Sequence, residues 1–274
     1  MDTAPQQLRL LDPPAAVPPG AAGDAGPFAR PGTALRASRT VAVLGACGGA
    51  GTSTLAAALA HALRGSGERA VLVDLDVPGA GADVLLGIED EPGARWPELA
   101  AARGDVDGEG LVAALPRWRR VPVLSGTRAQ AAPPDGSVVL DVATGLLRAG
   151  ESVVLDLPRA SGWSHAARLL AAAADTVLLV VPSTVPGVAG AASAAVALQE
   201  AGAGDPWVVA RRPAPGRVDA TAVEAALGLD VVAELPWDPR LAAAVERGEG
   251  PRVGRRAPVG RTSARLAAAL ARAS

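Results

Sequence analysis

The sequence predicts a three-layer α/β fold, in which a parallel β-sheet is covered by helices on both faces. From Thr40 onward, short runs of Val and Leu alternate with Ala-rich stretches of helical length, which is the pattern of repeated strand–helix units. Most of the short runs are continuously apolar, as expected of parallel strands that are buried on both faces. With 49% hydrophobic residues, the chain can bury a sizeable core.

Seven strands and seven helices are predicted along this region. The strands are expected at residues 41–44, 70–74, 121–124, 152–156, 176–181, 207–210 and 231–235. The helices are expected at residues 53–64, 137–148, 164–174, 188–201, 219–227, 239–247 and 262–272. Right-handed crossovers then bring the carboxyl ends of the strands to one edge of the sheet, where a ligand would bind.

Residues 1–39 have a different character from the rest of the chain. They are rich in Pro, Ala and Gly without apolar periodicity, so we predict a disordered leader followed by one folded domain at 40–274. Asp2 and scattered prolines replace the basic and apolar regions of a signal peptide, and the apolar run at 176–181 is too short to span a bilayer. The single Cys47 cannot form an internal disulfide, which is typical of a reducing compartment. We therefore expect a cytoplasmic protein.

The charged residues are nearly balanced but unusual in kind. The chain has 26 basic and 28 acidic residues, for a net charge of -2, and every basic residue is an arginine. This balance argues against a protein that coats nucleic acid with its whole surface. It also means that no position in the chain can supply a lysine ammonium.

The first predicted strand leads directly into a glycine-rich segment and then into an Ala/Leu helix. Residues 45–54 read Gly-Ala-Cys-Gly-Gly-Ala-Gly-Thr-Ser-Thr. Glycines allow a backbone to wrap with its amides pointing inward, and the following helix N-terminus adds positive potential, so this arrangement predicts a phosphate-binding loop. The usual P-loop pattern requires Gly at the position of Ala46 and Lys at the position of Thr52, so the segment does not match it. The alternative interpretation is that the segment is only a tight connection between a strand and a helix.

The loop resembles the deviant Walker A motif of the ParA/MinD ATPases, Lys-Gly-Gly-x-Gly-Lys-Thr-Thr, with Cys47 and Thr52 at its two lysines. Three further segments resemble the family in the same order: the Asp-x-Asp of its first switch, its Walker B strand with the second switch, and the turn that borders the base. They read Val-Leu-Val-Asp-Leu-Asp at 71–76, Val-Val-Leu-Asp-Leu-Pro-Arg at 153–159 and Leu-Pro-Trp-Asp-Pro-Arg at 235–240. The resemblance extends from residue 40 to about residue 251.

Residues 79–97 are similar to the CpaE-like branch of this family in particular. That branch includes actinobacterial proteins called septum site-determining, in tad-type pilus and secretion gene neighbourhoods. The resemblance implies the three-layer P-loop NTPase fold of the SIMIBI class.

The resemblance also implies a cofactor and a set of site residues. ATP or ADP would be bound by Gly48, Gly49, Ala50, Gly51, Thr52, Ser53, Thr54 and Pro236. Ser53 would place its hydroxyl on Mg²⁺, and Asp156 would hold the metal through water. Asp76 is the candidate for orienting the attacking water, with Asp74 in support. Trp237 is the tryptophan placed to lie near the base.

The missing lysines change what this site is expected to do. Loss of the loop ammonium removes a charge-assisted contact worth about 1.5 to 3 kcal/mol, and transition-state stabilisation should suffer more. We therefore predict weak or absent ATP hydrolysis and impaired ATP-driven dimerisation. Arg159, beside the second switch, is a candidate to compensate. Arg211 and Arg212 stand where relatives often carry an Asn that reads adenine, so base specificity is left open.

Three functional hypotheses follow. The first is a nucleotide-binding spatial regulator of septum placement or of pilus or secretion assembly, acting through protein partners. The second is a slow ATPase that cycles between monomer and homodimer, and the third is a DNA-binding partition protein. From Arg240 onward there are eight Arg and two Glu. This basic segment could contact DNA or anionic lipid, and contact with lipid would recruit the protein to the cytoplasmic face of the membrane or to a cell pole. We favour instead a C-terminal helix packed on the sheet with a solvated basic face.

Overall fold

The computed structural model describes residues 38–77, 81–128, 132–212 and 218–273. Apart from Ser38 and Arg39, the predicted leader at 1–39 lies outside the described residues. The chain forms an eight-stranded sheet in the order β3-β4-β2-β5-β1-β6-β7-β8. The strands are β1 (Thr40–Gly45), β2 (Ala70–Asp74), β3 (Arg117–Trp118), β4 (Val121–Leu124), β5 (Ser152–Asp156), β6 (Thr176–Pro182), β7 (Trp207–Arg211) and β8 (Val231–Leu235).

Nine α-helices accompany these strands in the described part of the chain. They are α1 (Thr52–Gly65), α2 (Ala82–Leu86), α3 (Gly108–Ala114), α4 (Gly136–Arg148), α5 (His165–Ala173), α6 (Val185–Ala201), α7 (Ala220–Leu227), α8 (Pro239–Glu246) and α9 (Pro258–Ala273). Short 3₁₀ helices lie at Trp96–Leu99 and Ala160–Gly162.

The predicted fold class is confirmed, with one correction to the sheet. All seven predicted strands are present within a residue or so of their expected bounds, and they pair in parallel. The sheet is only mostly parallel, however, because β3 pairs antiparallel with β4 at one edge. A two-residue strand has too little periodicity to be seen in a sequence. The short helices α2 and α3 were missed for the same reason.

Helices cover both faces of the sheet and divide the core in two. One face is filled by side chains of α4, α5 and α6, including Leu146 and Leu198. The other is filled by α1 and α9, whose leucines, such as Leu59 and Leu270, are essentially inaccessible to solvent. Both faces of the central strands are buried, which explains their continuous apolar runs.

The basic C-terminal segment includes a helix that packs on the domain. Leu266 and Leu270 of α9 are buried against α1, whereas Arg261 and Arg265 are exposed. Thr262 Oγ1 donates a hydrogen bond to the carbonyl oxygen of Glu234, 3.0 Å away, which ties the helix to β8. This is the packed helix with a solvated basic face that the sequence favoured. None of the described helices combines the length and apolar character that a bilayer crossing requires.

His61 of α1 is expected to make the stability of the fold depend on pH. Its ring lies 5.9 Å from that of Trp118, and burial, together with the charges of Arg119 and Arg120, lowers its pKa. Because the pKa of His61 is lower in the folded state, its contribution to the free energy of unfolding is fully present above the ordinary histidine pKa near 6.5. That contribution is lost as the pH falls through the pKa of the folded state. We expect His61→Gln to reduce the loss of stability between pH 7.5 and pH 5 by about 1 kcal/mol or less, because the ring is partly exposed.

The measurement is the thermal unfolding midpoint of both proteins at the two pH values. Comparing the pH slopes of wild type and variant removes the contribution of all other titrating groups. Identical slopes for the two proteins would contradict the prediction.

Candidate nucleotide-binding site

The loop between β1 and α1 has the conformation that a phosphate cradle needs. Gly49 and Gly51 have φ angles of 71° and 92°, in the left-handed region that side chains other than glycine rarely adopt. Gly51 is the N-cap of the 14-residue helix α1. The loop is anchored at its start, where the Ala46 amide donates to the carbonyl oxygen of Val180 at 3.0 Å. A wrapped glycine loop that ends on a helix N-terminus is suited to bind an anion.

This loop forms one wall of a cavity of about 700 Å³ at the carboxyl edge of the sheet. The cavity brings together nearly all of the predicted site residues: Gly48, Gly49, Ala50, Gly51, Thr52, Ser53, Thr54, Asp76, Asp156 and Pro236. The exception is Asp74, which is buried and does not line the cavity. The volume falls within the range typical of small-ligand sites.

Ser53 and Asp156 meet at the bottom of this site. Asp156 ends β5 with 2% of its surface exposed, and the Ser53 hydroxyl hydrogen-bonds its carboxylate. Burial, reinforced by the charge of Asp74, raises the pKa of Asp156 well above its ordinary value, while the Ser53 bond opposes that shift. A hydroxyl and a carboxylate in contact, with a surplus of negative charge, are a fitting donor set for Mg²⁺.

Asp74 and Asp76, the two carboxyl groups predicted to take part in catalysis, lie in different surroundings. Asp74 is the register partner of Asp156 in the neighbouring strand, and burial raises its pKa to about 6 despite hydrogen bonds from two backbone amides. Those amides belong to Asp76 and Ala82, at 2.9 and 2.8 Å. Asp76 itself is exposed in the cavity wall. Asp74 therefore positions the segment that presents Asp76.

The carboxylates do not form a closed metal site by themselves. Within the described ranges, no group of three or more His, Cys, Asp or Glu side chains is arranged to hold a metal ion. Mg²⁺ in phosphate-transferring sites takes one or two protein ligands and completes its shell with water and phosphate oxygens. Ser53 and Asp156 fit that pattern, so the residues present suit a cation that arrives with a phosphorylated ligand.

Arg211 reaches the phosphate loop, which the sequence did not predict. It ends β7, and its Nη1 donates to the carbonyl oxygen of Gly49 at 3.3 Å. Its guanidinium carbon lies 5.5 Å from the centre of the Trp237 ring, a cation–π distance. Burial lowers its pKa, with the nearby Cys47 acting in the opposite direction. The only signal in the sequence was that two arginines follow the strand predicted at 207–210 in a chain without lysine.

The other cavity arginine and the turn after β8 lie where the sequence suggested. Arg159, the predicted compensating residue, lines the cavity with an exposed side chain next to the end of β5. Pro236 and Trp237 follow β8 in the wall, and Trp237 is 45% exposed. An exposed tryptophan beside a phosphate loop offers a flat surface for a base.

The eight-stranded sheet, with a glycine loop that leads from β1 into α1, has the architecture of the P-loop NTPase fold. Comparisons with known proteins show this similarity in detail. Residues 36–101 match the model of the family described as ParA, NUBPL iron-transfer P-loop NTPase. The chain has the fold of the cell division ATPase MinD of Pyrococcus furiosus, with a TM-score of 0.71 at 22% identity, covering 86% of this chain and 100% of that one.

Two further similarities are relevant. The septum site-determining protein MinD of Pyrococcus horikoshii, in complex with Mg-ADP, has a TM-score of 0.70 at 20% identity, covering 85% of this chain and 96% of that one. An uncharacterised protein of Mycobacterium tuberculosis is 40% identical over 237 residues, which is 85% of this chain and 64% of the relative's own length. The similarity to solved structures shows that this chain has the fold of the ParA/MinD P-loop NTPases, and the chain spans 64% of the length of its mycobacterial relative.

Proposed function

We propose that the protein is a nucleotide-binding spatial regulator of the CpaE-like branch, whose hydrolytic activity is weak or lost. It would act in septum-site placement or in the assembly of a tad-type pilus or secretion machine. Its contacts would be with protein components of that machine, at the cytoplasmic face of the membrane or a cell pole. One observation carries the proposal: the glycine loop and the Ser53–Asp156 pair are intact around a cavity of about 700 Å³, although the loop has no lysine.

In this proposal, the glycine loop, Ser53 and Asp156 account for nucleotide binding, and the missing lysines account for slow hydrolysis. Backbone amides of the loop would hold the phosphates of ATP or ADP, while Ser53 and Asp156 would hold Mg²⁺, which neutralises phosphate charge when bound. Charge builds up on the transferring oxygens during hydrolysis, and a fixed cation at this point is worth most in the transition state. A loop with neutral Thr52 in the lysine position favours stable binding over turnover.

Titration with ATP and ADP tests the proposal. We expect wild type to bind both nucleotides with Mg²⁺ in the micromolar range. Asp156→Ala should weaken binding about 10- to 100-fold, because loss of a residue that holds a metal's ligands typically costs that much. In EDTA, the two proteins should bind equally. Asp205→Ala, at an exposed position between α6 and β7, is the matched control and should behave as wild type.

Two results would reject the proposal. Absence of binding up to millimolar nucleotide would leave the fold as a docking scaffold without a ligand. Equal binding by wild type and Asp156→Ala in Mg²⁺ would remove the metal pair from the function.

The slow ATPase with a homodimeric state is the second candidate, because Asp76 is exposed at the cavity. In that case, Mg-ATP turnover would be measurable and would disappear in Asp76→Ala while ADP binding is retained. Turnover that survives in Asp76→Ala would exclude this candidate.

A further inference from the structure

Arg211 is a cation that lines the cavity. Among the described residues, no carboxylate lies within ion-pair distance of its guanidinium, which donates a hydrogen bond to the Gly49 carbonyl at 3.3 Å. A guanidinium has five N–H donors, so most of its donor capacity is left for a ligand. A half-buried cation of this kind is costly unless an anion or water completes its hydrogen bonds.

The side chain of Arg211 crosses the end of the loop where phosphates would bind. A Cβ atom built on Gly51 would lie 3.5 Å from Arg211 Cδ and 3.6 Å from Nε. On its other side, the guanidinium packs over Trp237. The side chain is therefore held between the loop and an aromatic ring. The inward-facing amides of such a loop and the N-terminus of α1 have the same positive sign as the guanidinium, so an anion between them would be stabilised from both sides.

We propose that Arg211 is the cationic phosphate ligand of this lysine-free loop, donating hydrogen bonds to terminal phosphate oxygens of a nucleoside di- or triphosphate. The inference rests on the proposed function and names the residue that replaces the missing ammonium. Arg211 approaches the site from the end of β7, not from the loop itself. Arg159 is the alternative cation in the cavity, but its side chain is exposed and no hydrogen bond ties it to the loop in the described structure.

Arg212 offers a matched control one residue away. It is exposed, and its Nε donates to Glu234 Oε2 at 2.8 Å, outside the cavity. Arg211→Ala and Arg212→Ala therefore remove the same charge from neighbouring positions, and differ in whether that charge faces the loop. Arg211→Gln keeps the length of the side chain and serves as a second variant, and thermal unfolding checks that each variant is folded.

The experiment measures binding of Mg-ATP, Mg-tripolyphosphate and AMP to these proteins. Tripolyphosphate has no base, and AMP has no β- or γ-phosphate, so the three probes separate the two ends of the nucleotide. We expect Arg211→Ala and Arg211→Gln to weaken both Mg-ATP and Mg-tripolyphosphate about 10- to 100-fold, the usual effect of losing a charged hydrogen bond. AMP binding should be nearly unchanged, and Arg212→Ala should match wild type.

Restoring the usual lysine gives an independent check. Thr52→Lys adds an ammonium at the start of α1, from which family lysines reach the phosphates. In the Arg211→Ala background, Thr52→Lys should recover most of the lost affinity for Mg-tripolyphosphate. Recovery would show that the defect is a missing cation at the phosphates and not a disturbed fold.

Several outcomes would overturn the inference. Equal weakening by Arg211→Ala and Arg212→Ala would indicate only a general charge effect. Loss of ATP affinity with unchanged tripolyphosphate affinity would make Arg211 a base ligand. Unchanged binding in Arg211→Ala, with wild type binding well, would reject Arg211 but keep the proposed function, whereas no binding by wild type would reject the proposed function and this inference with it.

Discussion

Gly51→Val is expected to reduce Mg-nucleotide affinity by more than about 100-fold. Gly51 has a φ angle of 92° at the junction of the loop and α1, and a β-branched residue in that region is strained by about 1 to 3 kcal/mol. Relief of the strain would turn the backbone and withdraw amides from the phosphate site. Loss of two charge-assisted hydrogen bonds of about 1.5 to 3 kcal/mol each accounts for the expected change. Isothermal titration with Mg-ADP measures it.

Gly67→Val is the matched control for backbone strain. Gly67 has a φ angle of 89° and lies exposed between α1 and β2, where a Cβ atom would meet no other atom within 4 Å. Both variants should lose similar stability, but only Gly51→Val should lose nucleotide binding. The single Cys47, which lines the cavity, provides a second readout, since bound nucleotide should slow its alkylation in Gly67→Val and not in Gly51→Val. Equal nucleotide affinity of the two variants would contradict a role for the loop.

Arg95→Ala is expected to lower the free energy of unfolding by about 3 to 5 kcal/mol, the usual effect of breaking a buried ion pair. Arg95 Nε lies 3.4 Å from Asp83 Oδ2, and the side chains of both residues are buried. The guanidinium also donates to the carbonyl oxygens of Ile88 and Gly93, at 2.9 and 3.1 Å. Its removal would leave the buried Asp83 carboxylate without its cationic partner and would remove hydrogen-bond donors from buried carbonyl groups. Chemical denaturation of the folded variant measures the loss.

An exposed ion pair in the same region is the control. Arg128 Nη2 lies 3.2 Å from Asp90 Oδ1, with 65% and 92% of the two side chains exposed. Arg128→Ala should change the free energy of unfolding by about 0 to 1 kcal/mol, because solvent screens such pairs. If Arg95→Ala were no more destabilising than Arg128→Ala, the buried network would have no special role in stability. The charge of Asp83 also contributes to the raised pKa of Asp74, so the Arg95–Asp83 ion pair lies near the buried carboxylates of the candidate site.

Local sequence patterns predicted most of this fold because the elements that matter are long and regular. The parallel strands are continuous apolar runs, and the loop carries its glycines within a few residues of one another, so each signal lies within one short window. The order of strands along the chain then places Ser53, Asp76 and Asp156 at one edge. The two-residue β3 and the five-residue α2 fall below the length at which such patterns are informative.

By itself, the sequence determined that the chain has no lysine, and it predicted the P-loop fold and the loop that would bind phosphate. Only the tertiary structure decided which cation faces that loop. Arg211 and Gly49 are 162 residues apart, and their contact depends on the position of β7 two strands from β1 in the sheet. Arg159, nearer to a recognised motif, was the candidate from sequence alone. Contacts of this range are set by strand order and register, because these decide which side chains meet at the edge of the sheet.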